Sequence, residues 1–175
     1  MNPMRLFFKP SSPETPTLQP LTVYRTKAAT LWEGTTAIVL VALWIIAAIT
    51  VKRVLQMAPP YDQPVGGQPD WNDVFAPIVL AAIATGGAIY SLYNAYRPYS
   101  MRDSMGVAVR NMTQLAAIPQ LCRIHAVSLS LLMVGLNLSL LLTADIPPIA
   151  FVLSIVPMIA SAIYAVIRLQ SLKNE

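Results

Sequence analysis

Charge is the first thing this sequence lacks. Only 11% of its 175 residues are Asp, Glu, Lys or Arg, against 55% hydrophobic, whereas a soluble domain carries roughly 25% charged residues. A water-soluble chain of this length has no way to hide several long apolar runs. The imbalance therefore predicts an integral membrane protein.

Other absences narrow the chemistry. Cys122 is the only cysteine and His125 the only histidine, so an internal disulfide, a cysteine-built zinc site and a bis-histidine haem are excluded within one chain. Cys122 and His125 lie three residues apart on one helical face. The pair suggests a ligand, but zinc needs four, so His125 is predicted to be an interfacial or packing residue, with single axial ligation of a shared haem or chlorophyll as its weaker alternative. No phosphate-cradling glycine loop, nucleophile elbow or paired-histidine metalloprotease motif occurs. Catalytic residues, metals and resident cofactors are accordingly expected to be none, and any catalysis to belong to partners. The net charge of +4 is spread along the chain and forms no stripe for nucleic acid.

The apolar runs are four. Residues 35–55, 74–96, 124–143 and 148–167 each supply about the 20 residues a helix needs to cross the bilayer. Lipid admits only helices or closed barrels, and runs without alternation favour helices. The fold class is thus an all-α membrane protein with four transmembrane helices. Before them, residues 1–34 hold five prolines and no periodicity, which predicts an extended tail that needs a surface to order it. The apolar cluster Leu6-Phe7-Phe8 is too short for a signal-peptide core, and the first run ends in Lys52-Arg53, so that run is expected to remain as an anchor.

Between the second and third spans, Met101, Met105, Ala108, Met112 and Leu115 follow steps of four and three, while Arg102, Arg110, Asn111 and Gln114 point elsewhere. That pattern predicts an interfacial amphipathic helix over about 101–118, resting on anionic lipid, with packing on a neighbouring subunit as the alternative. Residues 144–147 join the last two spans too tightly for anything but a helical hairpin, with Asp145 as a cap for the fourth. Alternate sides of the membrane carry ten and two Lys or Arg residues. By the positive-inside rule both termini are predicted on the cytoplasmic or matrix side, in a bacterial inner membrane or an energy-transducing organelle membrane. Lys52 and Arg53 then snorkel at the far side.

Transporters that couple to ions place charges at bilayer depth, and the four predicted spans carry none away from their ends, Lys52 and Arg53 closing the first. Glu33 and Asp73 sit at span ends, where water reaches them. Asn137 is the most polar intramembrane candidate, with Ser128, Ser130 and Ser139 on the same helix. Helix packing is predicted to use Gly86, Gly87, Asn137 and Ser139, where small residues allow close approach and interhelical bonds contribute roughly 0.5–2 kcal/mol. Pro77 and Pro157 are expected to shape the bundle. The interface set is Trp71, Tyr96, Arg97, Arg102 and Arg110, the tyrosines at 90, 93, 96 and 99 forming an aromatic belt.

These features lead to the expectation of a structural or accessory subunit of a larger membrane complex, energy-converting or of the secretion or conjugation type. Its partners are other membrane subunits and anionic lipids, in a hetro-oligomer held by helices and tail. The alternative is a small oligomeric channel or transporter with a pore around Asn137.

Overall fold

The computed structural model describes residues 25–57, 71–98, 111–142 and 148–172, with side chains in the last stretch from 154 onward. Four helices account for nearly all of them: α1 (Lys27–Met57), α2 (Trp71–Tyr96), α3 (Met112–Leu142) and α4 (Pro148–Ser171). Each is long and apolar enough to cross a membrane, and no strand occurs among the described residues. Only 22–33% of each apolar window is buried by the chain itself. A protein in water does not leave Ile38, Val41, Ile89, Ile163 and Ile167 more than half exposed on its helices. The chain is an integral membrane protein of the multi-pass kind.

The helices exceed the predicted spans at their ends. α1 begins at Lys27, eight residues before the predicted run, so 27–34 is helix and not tail. Its start follows from chemistry: no proline lies between Pro20 and the end of α1, and Thr26 caps the helix, its Oγ1 accepting from the Ala29 N–H at 3.1 Å. α3 likewise begins at Met112, with the Asn111 side chain accepting from the Gln114 N–H at 2.8 Å. Met112–Ile118, predicted as the end of an interfacial helix, therefore forms the first turns of a 31-residue helix. Gln114 and Leu115 are both fully buried there, so that segment packs into the bundle. Residues 101–110, including Arg102 and Arg110, lie outside the described residues, as do 1–24 and Asp145.

Contacts between the helices fix an up-down-up-down order. α1 meets α2 antiparallel, through Trp44 Nε1 donating to Thr85 Oγ1 at 3.1 Å and Tyr96 Oη donating to Glu33 at 2.5 Å. α3 meets α4 antiparallel, through Gln114 Nε2 donating to the Leu169 carbonyl at 2.7 Å and Asn111 Nδ2 to the Leu172 carbonyl at 2.7 Å. α1 and α3 run parallel, tied by Glu33 to Arg123 at one end and by Arg53 to the Leu141 carbonyl at the other. At that end the exposed Arg53 guanidinium caps a carbonyl at the C-terminal end of α3, where helix carbonyls lack intrahelical donors.

Periodicity explains the packing. On α2 the buried positions Val74, Pro77, Ala81, Ala84, Ala88, Ser91 and Ala95 alternate at steps of three and four, the seam of knobs-into-holes helices crossing at a shallow angle. On α1, Ala29, Thr36, Leu43 and Thr50 are buried at steps of seven. α3 is buried on several faces because it touches every other helix, whereas α4 packs on α3 alone among the described elements. Small residues set the separation. A Cβ on Gly135 would stand 2.2 Å from the Ser154 Cβ, and one on Gly87 2.4 Å from Leu129 Cδ2, so these glycines bring α3 to α4 and α2 to α3.

Candidate functional site

Among the described residues, the most chemically distinct place is a cluster at the end where α1 begins, α2 ends and α3 has made its first three turns. Glu33 lies in the second turn of α1, Tyr96 is the last residue of α2, and Arg123 occupies the inward face of α3. Arg123 Nε meets Glu33 Oε1 at 3.0 Å, and Tyr96 Oη donates to the same oxygen at 2.5 Å. Arg25 Nη2 meets the other oxygen, Glu33 Oε2, at 3.1 Å. The Arg123 guanidinium also stands 5.0 Å above the centre of the Tyr96 ring, a cation–π distance. One carboxylate thus holds two guanidiniums and a phenol.

Burial grades the cluster from inside to rim. The Arg123 side chain is 5% exposed, Glu33 14% and Arg25 62%. A guanidinium carries five N–H donors, and removing it from water is costly unless each finds an acceptor. Arg123 Nη2 has none: it is buried without a hydrogen-bond partner. With Glu33 ionised, two arginines against one carboxylate leave a formal charge of +1. By hydropathy alone Arg123 falls just before the third apolar run, in the connection, and Glu33 just before the first. Both stand within long helices, and the readable signal was that Glu33, Tyr96 and Arg123 each border an apolar run on the same side.

A second orphaned polar atom lies further along α3. Asn137 is fully buried, its Nδ2 donates to the Met133 carbonyl at 3.3 Å, and its Oδ1 has no partner. Arg123, Ser130 and Asn137 recur every seven residues, all buried on one stripe. The serine hydroxyls are satisfied locally: Ser128 Oγ donates to the Ile124 carbonyl at 2.9 Å, Ser130 Oγ to Ala126 at 2.8 Å and Ser139 Oγ to Gly135 at 2.9 Å. They therefore sit in lipid-excluded packing with their hydrogens already used.

The remaining sequence candidates fall as follows. Gly87 contacts Leu129, while nothing lies within 4 Å of where a Gly86 side chain would begin. Trp71 is exposed and stacks on Phe75 with ring centres 5.9 Å apart. Arg97 stands 4.8 Å over the Tyr93 ring at the exposed end of α2. Tyr96, expected as a simple belt residue, is 43% exposed but spends its hydroxyl on Glu33. His125 is partly buried, and Cys122 packs with Ala95, Leu115 and Ile118. Among the described residues no three His, Cys, Asp or Glu side chains gather as metal ligands.

Two apolar grooves open at the other end of the bundle. One of about 510 Å³ runs between α2 and α3, lined by Phe75, Val79, Leu80, Leu136 and Leu140. The other, about 520 Å³, runs between α1 and α2 past Trp44, Val51, Leu55 and Ile78, with Lys52 beside it. Comparison with protein-family models, curated proteins and solved structures finds no match for this chain.

Proposed function

We propose that this protein is a structural or accessory subunit of a larger membrane complex, energy-converting or of the secretion or conjugation type, and that it works by docking. The observation that carries this reading is the open arrangement of the helices. α4 is held by α3 alone among the described elements, and its flank presents Val156, Ile159, Ile163 and Ile167 to the surroundings. In lipid, such a flank gains by packing against another helix through shape and dispersion. Catalysis, in this reading, belongs to the partner subunits.

Both termini lie on the cytoplasmic or matrix side in this proposal, and the proline-rich N-terminal sequence before α1 contributes to docking on a partner. Anionic lipids gather at the basic connection that holds Arg97, Arg102 and Arg110. The test is co-purification in mild detergent of the full chain and of a form lacking residues 1–24. The full chain is expected to bring stoichiometric partners, and the shortened form to stay in the membrane but lose them. A full chain that purifies alone and monomeric contradicts the proposal.

The rival, an oligomeric pore around Asn137, draws less support from the geometry. Asn137, Ser130 and Ser139 are buried within one chain, so they have no surface to offer a pore between copies. Purified protein that passes ions across vesicles, and loses this on Asn137→Leu, would restore that reading.

A further inference from the structure

We infer that the Glu33–Arg123–Arg25 cluster is a binding site for a phosphate group, supplied at the membrane surface by an anionic phospholipid. Three observations converge on that chemistry. Arg123 is nineteen-twentieths buried, yet its Nη2 has no acceptor. Glu33 occupies Nε, and the Tyr96 ring lies under the guanidinium plane, so the outer edge of the fork is the part left over. The cluster also carries one more positive than negative charge, and a second guanidinium, Arg25, stands at its exposed rim on the far Glu33 oxygen.

An oxyanion would supply the missing acceptor and offset the excess positive charge together, and phosphate matches the guanidinium fork in a bidentate way. Location decides where it comes from. Glu33, Tyr96 and Arg123 all border the apolar runs on one side, the depth at which lipid phosphates lie. Tyr93 and Tyr96 are exposed beside the site, and Arg97 covers Tyr93, giving a headgroup a wall of amphipathic side chains. Arg25, 62% exposed at the rim, is the side chain that meets the phosphate first, with the enclosed Arg123 fork behind it. The inference does not depend on the accessory-subunit reading, only on the chain crossing a membrane.

The test uses the full chain in lipid nanodiscs made of phosphatidylcholine alone or containing phosphatidylglycerol, with lipid retention read by native mass spectrometry and unfolding followed thermally. Phosphatidylglycerol is expected to be retained about tenfold over phosphatidylcholine and to raise the Tm, the scale of a charge-assisted bidentate contact. Arg25→Gln keeps the Glu33–Arg123 pair and is expected to remove most of that preference, with only a small fall in the Tm in phosphatidylcholine because its own ion pair is largely exposed. Arg123→Lys, which keeps the charge but loses the fork, is expected to lose it too. Lys52→Gln, at the other end of α1, is expected to change nothing. Inorganic phosphate added to the phosphatidylcholine sample separates the sources. Stabilisation by millimolar phosphate that vanishes in Arg25→Gln assigns the site to a soluble phosphate and overturns the lipid as its occupant. Equal retention of the two lipids, or an equal loss with Lys52→Gln and Arg25→Gln, overturns the site altogether.

Discussion

The two ends of this bundle solve the same problem differently. At one end, polar side chains tie all four helices: Glu33, Tyr96 and Arg123 join α1, α2 and α3, and Gln114 and Asn111 join α3 to α4. At the other end, among the described residues, the Arg53 guanidinium reaches the Leu141 carbonyl, and apolar grooves open between the helices. Lipid explains why both are tolerable. Hydrocarbon tails fill an apolar gap as well as a side chain does, so loose apolar packing costs little in a membrane, whereas an unpaired charge costs several kcal/mol. Specificity of the helix arrangement therefore resides at the ionic end.

The largest effect that tests this contrast comes from separating the ion pair. Glu33→Leu leaves Arg123 buried beside an alkyl chain and is expected to cost about 3–5 kcal/mol, read as a loss of folded protein in a detergent unfolding titration. Combining it with Arg123→Met is expected to recover most of that loss, because the buried charge leaves with its partner. Recovery absent from the double variant would mean that Glu33 acts through something other than Arg123.

Next in size is the close approach of α3 to α4. Gly135→Leu drives a side chain into Ser154, whose backbone Cα is only 3.4 Å from the first added carbon, and is expected to cost about 1–3 kcal/mol. Gly86→Ala meets open space and is expected to be neutral or to stabilise by up to about 1 kcal/mol, through reduced backbone freedom. Gln114→Leu removes the bond to the Leu169 carbonyl and is expected to cost about 0.5–2 kcal/mol. Smallest of all, Arg53→Gln at the loose end is expected to shift stability by under about 0.5 kcal/mol, since that side chain is exposed. An Arg53 effect as large as that of Glu33 would erase the contrast between the ends.

The membrane class and the four helices were legible in the sequence because a run of about 20 apolar residues has few other meanings. Helix ends were less legible. The hydropathy of 35–55 marks where lipid starts, but the backbone continues helically through Lys27–Gly34, where Thr26 and not the bilayer sets the boundary. The same distinction hid Arg123. It reads as a loop charge when helix and span are equated, and as a buried ligand of Glu33 once α3 extends from Met112. The α2 seam of Ala81, Ala84, Ala88, Ser91 and Ala95 was present in the spacing, although Gly86 and Gly87 drew attention first. The close approach at Gly135 had no such signal, because it depends on where Ser154 of another helix arrives.

Side-specific labelling tests the central claim, that four helices cross the membrane in alternating directions. In a Cys122→Ser background, the exposed positions Lys27, Lys52 and Arg168 are replaced singly by cysteine and treated with an impermeant maleimide in sealed, uniformly oriented vesicles. Cysteines at 27 and 168 are expected to share one accessibility and the cysteine at 52 to show the opposite, reacting only from the other face. Opposite behaviour at 27 and 168, or labelling of all three from the same side, would contradict the fold and everything built on it.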